Sequence, residues 1–217
     1  EQFCQVRVLA FCVMSNHFHI LVKVPVPPPE RGRDWSDEKL LDHLSCLYSQ
    51  RQMAEIRWRL DLMRRQKADK AAEEFRESFL RRMWDLSQFM KSLKQCFTRW
   101  FNKRHDRRGT LWEERFKSVL VEDGEAAQVV AAYIDLNPVR AGMVKDPKDY
   151  RWSGYGEAVA GKDAAREGLQ LVMLEKEAEV KGGRTHAVAE IVSWRGVVRL
   201  YRMVLFEAAA ERTGEGR

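Results

Sequence analysis

The first apolar pattern along the chain is typical of β-strands. Residues 3–13 (FCQVRVLAFCV) and His17 to Val24 are rich in β-branched and aromatic side chains, and the short break Met14-Ser15-Asn16 separates them. Two such runs predict the strands of an antiparallel hairpin. Prolines between Pro25 and Pro29 then stop regular structure, because proline cannot donate to a strand ladder.

After the prolines, the spacing of apolar residues becomes helical. Residues 36–66 carry leucines at helical spacing with charged residues between them, and a second helix is predicted from about Lys70 to Trp84. Acidic and basic residues nearly balance here, as on a solvated helix face. We therefore expect a helical insertion over about residues 28–85.

Further elements are predicted downstream. Ser87 is a plausible N-cap for a third helix, whose apolar stripe includes Phe97 and Phe101. Residues 116–122 (FKSVLVE) are a short strand candidate. Asp123 can cap a helix over about 125–136, which Pro138 ends.

The last third of the chain predicts an aromatic-rich wrap followed by helices. The wrap covers residues 145–161, and a charged helical stretch begins near Lys162. After a break at Gly182-Gly183, an amphipathic helix is predicted from about Ser193 to Glu211.

The composition excludes some classes of protein. Of 217 residues, 45% are hydrophobic and 32% charged, which suits a packed core and not global disorder. The longest apolar run, Val8 to Met14, is far shorter than the roughly 20 residues of a membrane span. The four cysteines form no CxxC pair, which argues against a zinc module or a disulfide scaffold and favours a reducing cytoplasm.

The net charge of +6 is concentrated in one segment. Residues 89–117 hold nine basic residues against three acidic ones, with five aromatic side chains among residues 97–116. This mixture is suited to a phosphate backbone and stacked bases, although a helix with a solvated basic face and an aromatic core face explains it equally well.

Two short motifs carry candidate chemistry. In a strand, His17 and His19 would lie on one face and could share a cation, or could simply be half-buried structural residues. Tyr133 and Asn137 are four apart, so in a helix they share a face. Asn137 could supply an amide oxygen to the same metal and Tyr133 a phenol to a bound phosphate; the alternative is a core aromatic followed by an ordinary helix stop.

Taken together, the motifs resemble a known family. Residues 11–22 (FCVMSNHFHILV) resemble the HUH motif of single-tyrosine transposases. Residues 109–118 (GTLWEERFKS), 133–142 (YIDLNPVRAG) and 150–153 (YRWS) resemble later motifs of one branch, the REP-associated tyrosine transposases. These are related to the transposases of the smallest bacterial insertion sequences. The resemblance covers roughly residues 4–156.

The resemblance implies an α+β fold with a ferredoxin-like antiparallel sheet and packed helices. It divides the chain into a catalytic domain, 1–160, and a helical extension of unknown role, 161–217. The family fold begins with a strand and a helix before the residues that match Phe3 to Val13, so we expect those elements to be missing from this chain.

The resemblance also implies site residues. Tyr133 matches the nucleophile, and His17, His19 and Asn137 match the ligands of a divalent metal, expected to be Mg²⁺ or Mn²⁺. The expected partner is single-stranded or hairpin DNA, and the expected location is the cytoplasm, near the nucleoid. The oligomeric state is left open between a monomer and a homodimer. The basic candidates for DNA contact are Arg99, Lys103, Arg104, Arg107, Arg108, Arg115, Lys117 and Arg140.

The implied activity is cleavage and rejoining of single-stranded DNA through a 5′-phosphotyrosine. The main alternative is a catalytically inactive nucleic-acid-binding domain derived from such a transposase. A metal-dependent hydrolase of small phosphoesters is a third candidate, but no carboxylate cluster accompanies the histidine pair.

Overall fold

The computed structural model describes residues 1–174 and 193–214, so the predicted break at Gly182-Gly183 lies outside the described residues. The chain forms a two-stranded antiparallel sheet and a set of helices, which is an α+β fold. The strands are β1 (Arg7–Val13) and β2 (Phe18–Lys23). The helices are α1 (Asp37–Leu44), α2 (Gln50–Arg65), α3 (Asp69–Leu80), α4 (Leu86–Arg104), α5 (Glu125–Asp135), α6 (Asn137–Arg140), α7 (Gly154–Val159), α8 (Asp163–Leu174) and α9 (Trp194–Gly214).

The chain divides into two compact units. The first unit comprises Glu1–Arg7 and Val24–Lys117, and the second comprises Val8–Lys23 and Ser118–Arg217. The division into a catalytic domain and an extension at residue 160 is a functional boundary and stays a prediction. No helix among the described residues combines the length and the apolar character needed to cross a membrane.

The first unit is built from α1 to α4 and is held by an ion-pair network. Arg76 on α3 is only 3% exposed and pairs with Asp37 and Glu73, and Arg64 on α2 pairs with the same two acids. The network links the starts of α1 and α3 to the end of α2. A capping box between Ser49 and Gln52 begins α2.

The second unit packs the hairpin and α5 to α9 around one core. Leu9, Cys12 and Leu21 of the hairpin join buried residues of α5, α7, α8 and α9. Helix α8 approaches β1 closely because Gly168 has no side chain: a Cβ there would lie 2.6 Å from the carbonyl oxygen of Val8. The sheet extends past the hairpin by one antiparallel bridge between Cys12 and Ser153.

Several predicted elements are confirmed and others are wrong. The hairpin is confirmed, and so are the helices predicted from Lys70, Ser87, 125 and Ser193, with shifted ends. The single helical stretch predicted over 36–66 is instead two helices, α1 and α2, separated at residues 45–49. The strand over 116–122 is wrong, since these residues have no regular secondary structure. A strand is stable only with a pairing partner, and its apolar side chains Val119 and Leu120 are exposed here.

The predicted helix caps are also corrected. Asp85, not Ser87, is the N-cap of α4, and its carboxylate accepts from the backbone N–H of Gln88. Gly124, not Asp123, precedes α5 and provides no side-chain cap. Pro138 does not stop helical structure after α5, because it is the second residue of the next helix, α6. In the first turn of a helix the missing N–H of proline costs no hydrogen bond.

Candidate active site

The two histidines lie at the turn of the hairpin. His19 is the second residue of β2, whereas His17 comes just before the strand, so the prediction that both are strand residues holds only for His19. The backbone N–H of Met14 donates to the carbonyl of His17 at 2.9 Å and closes the turn. The two imidazole rings are nevertheless neighbours, with centroids 5.0 Å apart and ring planes nearly perpendicular.

Each imidazole has a distinct environment. His17 is exposed, and its Nδ1 lies 2.8 Å from the side-chain oxygen of Asn16; in the neutral form of the ring that oxygen accepts the Nδ1 proton and Nε2 carries the lone pair. His19 is partly buried, and burial, followed by the nearby charge of His17, lowers its pKa. A neutral imidazole is the form that binds a metal.

Helix α5 places Tyr133 against this pair. Its buried stripe includes the small residues Ala127 and Ala131 and the larger Ile134, and the stripe packs the helix into the core of the second unit. Tyr133 is 37% exposed. Its ring lies edge-on to His19, with centroids 6.1 Å apart. The structure therefore brings together two residues that are distant in the sequence.

Asn137 and Arg140 continue the face of Tyr133. Leu136, between α5 and α6, keeps helical dihedral angles, so the chain passes from one helix to the next without changing faces. The side-chain nitrogen of Asn137 donates to the carbonyls of Tyr133 and Ile134 at 2.9 and 3.1 Å. The Arg140 guanidinium lies over the Tyr133 ring, 4.5 Å from its centroid.

The spacing of the two imidazole rings is compatible with a shared divalent cation. With metal–nitrogen bonds of about 2.1 Å, two imidazoles that share an ion have centroids about 5 Å apart, and the rings of His17 and His19 match this spacing. Because the nitrogen of Asn137 makes both bonds to the helix, its Oδ1 is on the opposite side of the amide group. Within residues 1–174 and 193–214, no group of three His, Cys, Asp or Glu side chains is placed to hold a metal ion.

Asp135, a neighbour of Tyr133 that faces the protein interior, was not predicted as a functional residue from the sequence. Its carboxylate is buried and accepts hydrogen bonds from the Tyr201 hydroxyl of α9 and the backbone N–H of Tyr155 of α7. This anchor holds the helix that presents Tyr133. The available signal was an acidic residue within an otherwise apolar helix, in the run Val129 to Leu136.

The predicted DNA-contacting residues are all exposed, but they belong to different units. Arg140 lies in the second unit, beside Tyr133. The other seven lie in the first unit: Arg99, Lys103 and Arg104 on α4, and Arg107, Arg108, Arg115 and Lys117 after it. Lys117 forms a surface ion pair with Glu114 at 3.4 Å, a kind of pair that is worth little in water.

The aromatic residues of this segment are more exposed than the sequence suggests. Trp100 is 56% exposed, and Phe97, whose ring contacts the rings of Trp100 and Trp112, is also exposed. Trp112 donates its Nε1–H to the Thr98 hydroxyl at 2.9 Å, which fixes the loop after α4 onto that helix. The expected core stripe of α4 is therefore buried only in its first turn, at Phe89 and Met90.

Comparison with known families gives an independent result. Residues 80–137 match the family model described as Transposase IS200 like. The match supports membership of the IS200-like transposase family. No curated protein and no solved structure was found to match the chain.

The IS200-like match covers half of the candidate site. It runs from the end of α3 to Asn137, so it includes Tyr133 and the basic segment. The histidine pair and Arg140 lie outside the matched residues. The match supports a transposase role and DNA binding, whereas the individual roles of the site residues rest on the geometry above.

Proposed function

We propose that this chain cleaves and rejoins single-stranded or hairpin DNA, with Tyr133 as the nucleophile. The observation that carries the proposal is the contact between the rings of Tyr133 and His19, 6.1 Å apart, in a chain that matches an IS200-like transposase. A phenol next to an imidazole pair is an arrangement suited to attack on a phosphodiester.

The proposed reaction is a transesterification. The Tyr133 oxygen forms a bond to phosphorus as the bond from phosphorus to the 3′ oxygen breaks. The phenol loses its proton and the 3′ oxygen gains one, so the products are a 5′-phosphotyrosine and a free 3′-OH. Because one phosphate ester replaces another, a second 3′-OH can reverse the reaction and join a new end without a nucleotide cofactor.

The residues around Tyr133 have separate proposed roles. His17, His19 and the Oδ1 of Asn137 would hold a divalent cation, Mg²⁺ or Mn²⁺. Such an ion, when bound, neutralises charge on the phosphate under attack. Arg140, stacked over the Tyr133 ring, adds a fixed positive charge next to that phosphate. The exposed cations and the Trp100 ring of the first unit provide backbone contacts and a stacking surface for the strand.

The finer fold assignment is also a proposal. The order β1–β2 with α5 packed on β2, and the bridge from Cys12 to Ser153, are features expected of part of a ferredoxin-like sheet. Only the α+β class and the antiparallel hairpin are established by the structure.

The decisive experiment is the detection of a covalent protein–DNA adduct. The full chain is incubated with 5′- and 3′-labelled hairpin DNA and Mn²⁺ or Mg²⁺, and the adduct is resolved by denaturing electrophoresis. We expect an adduct that retains the label on the 3′ side of the cleavage site and is lost in Tyr133→Phe.

The matched control is Tyr150→Phe, which also removes one hydroxyl from the second unit. The Tyr150 hydroxyl donates to the carbonyl of Val13 and has no proposed chemical role. Adduct formation by Tyr133→Phe would disprove the assignment of the nucleophile. DNA binding by the unmodified chain without any adduct would favour the inactive binding domain instead.

A further inference from the structure

A basic pocket lies in the first unit, between the end of α3 and the first half of α4. It encloses about 570 Å³ and is lined by three cationic side chains, those of Arg81, Arg82 and Lys91. The remaining lining residues can all donate hydrogen bonds: Ser78, Gln88, Ser92 and Gln95. No carboxylate lines the pocket.

The acidic residues nearest in sequence to the pocket residues form their contacts with other groups. Glu77 pairs with Arg33 at 2.9 Å, and Asp85 caps α4 through the backbone N–H of Gln88. Among the described residues, none of the three cations that line the pocket has an ion-pair partner. The positive charge of the pocket is therefore uncompensated.

Arg82 is held in position by neutral groups. Its guanidinium donates to the Tyr48 hydroxyl at 2.5 Å and to the Ser92 hydroxyl at 3.5 Å, and it lies over the Phe3 ring, 4.6 Å from the centroid. A guanidinium has five N–H donors, so these contacts leave donors for a ligand. An arginine that is fixed in place without a carboxylate partner is an arrangement suited to an external anion.

We propose that this pocket binds a backbone phosphate of the DNA strand. A phosphate presents acceptor oxygens that match the guanidinium and ammonium donors, and the neutral hydrogen-bond donors complete the set. None of the residues that line the pocket is a candidate cleavage residue or a cation assigned above to DNA contact. The choice of DNA as the source of the phosphate rests on the proposed function, whereas the anion chemistry rests on the pocket itself.

The test compares two double variants over a series of salt concentrations. Arg81→Gln/Lys91→Gln removes two pocket cations but keeps Arg82, whose packing against Phe3 contributes to the fold. The control, Arg51→Gln/Arg57→Gln, removes two exposed cations of α2 that do not line the pocket. The binding constant for labelled hairpin DNA is measured by fluorescence anisotropy, and its logarithm is plotted against that of the salt concentration.

We expect the slope of this plot to fall by about 0.7 to 0.9 in the pocket variant, because the pocket takes one phosphate, and each phosphate neutralised contributes about 0.7 on a single strand and about 0.9 on a duplex. The control variant should keep the slope of the unmodified chain. An unchanged slope in the pocket variant, or an equal fall in both variants, would overturn the proposal.

A second measurement identifies the source of the phosphate. Inorganic phosphate is titrated into the unmodified chain and the pocket variant and followed by NMR. If it shifts the pocket signals at millimolar concentration while the DNA slope is the same in both proteins, the site takes free phosphate and the assignment to DNA is wrong. Adduct formation is measured in parallel. DNA binding without an adduct would contradict the role of Tyr133, whereas the proposal for the pocket would still be tested by the salt slopes.

Discussion

The Tyr201 hydroxyl donates to the Asp135 carboxylate at 2.6 Å inside the second unit, and this bond joins α9 to the helix that carries Tyr133. The other carboxylate oxygen accepts the backbone N–H of Tyr155 at 3.2 Å. Burial raises the pKa of Asp135 to about 7, although both hydrogen bonds act in the opposite direction. The proton on this carboxyl group is therefore coupled to folding.

Replacement of Asp135 by Asn should make stability less dependent on pH. The folded chain keeps the Asp135 proton up to about pH 7, whereas the unfolded chain loses it near the ordinary value of 3.8. The contribution of Asp135 to stability should therefore be largest below about pH 4, fall as the pH rises to 7, and level off above it. Asparagine stays neutral and mimics the protonated acid, so in Asp135→Asn this fall should be absent.

The fall is measured by urea unfolding between pH 4 and pH 8. It amounts to about 4 kcal/mol, because a tenfold change in proton affinity corresponds to about 1.4 kcal/mol. Asp149→Asn, at an exposed acid of the same unit, is the control and should keep the pH dependence of the unmodified chain. A parallel fall in Asp135→Asn would show that another group causes it.

Loss of the Arg140 charge should slow adduct formation. The guanidinium lies over the Tyr133 ring, so Arg140→Gln removes a positive charge from the position where the phosphate is attacked. We expect the single-turnover rate at saturating DNA to fall by roughly tenfold, which corresponds to about 1.4 kcal/mol. Arg140→Lys should be intermediate, because it keeps the charge but loses the planar stacking.

The control for Arg140 is Arg151→Gln. Arg151 also stacks on an aromatic ring of the second unit, that of Trp152, at 4.4 Å from the centroid. Equal rates for Arg140→Gln and the unmodified chain, or an equal loss in Arg151→Gln, would remove Arg140 from the mechanism.

A paramagnetic ion should bind at the His17–His19 pair in preference to the other histidines. Mn²⁺ added to the full chain near pH 7 should broaden the imidazole NMR signals of His17 and His19 before that of His43, and EDTA should restore them. The lowered pKa of His19, caused by burial and then by His17, favours the neutral imidazole that binds a metal. Asn137→Ala should require more Mn²⁺ for the same broadening. Broadening of all histidines at one concentration would argue against a site here.

Alanine at position 168 should destabilise the second unit. In an open helix the change from Gly to Ala is favourable by about 1 kcal/mol, but a Cβ on Gly168 would lie 2.6 Å from the carbonyl oxygen of Val8 and 2.9 Å from that of Leu9. Moving α8 away from β1 should cost about 1–3 kcal/mol, measured by urea unfolding. Glu167→Ala, at an exposed neighbour, should stay within about 0.5 kcal/mol of the unmodified chain. A more stable Gly168→Ala would show that α8 does not pack as described.

Local patterns were sufficient for most elements of this chain. The β-hairpin is visible in the two runs of β-forming residues on either side of Met14-Ser15-Asn16, and the long helices follow from leucine and aromatic spacing, because these patterns act over a few residues. Caps were less predictable: Asp85 and Ser87 are both good cap residues, and the structure has Asp85 as the N-cap, with Phe89 and Met90 buried soon after it. The strand predicted over 116–122 failed because a strand depends on a distant partner.

The sequence by itself determined the residue types at the candidate site and their spacing on local elements. His17 and His19 are neighbours through a turn, and Tyr133, Asn137 and Arg140 share a helical face, because both arrangements follow from local geometry. Only the tertiary structure decided that His19 meets Tyr133, that Asp135 is buried against Tyr201, and that Arg82 lies in a basic pocket without an acid. These contacts join residues far apart along the chain, and they depend on how whole elements pack, which no local pattern encodes.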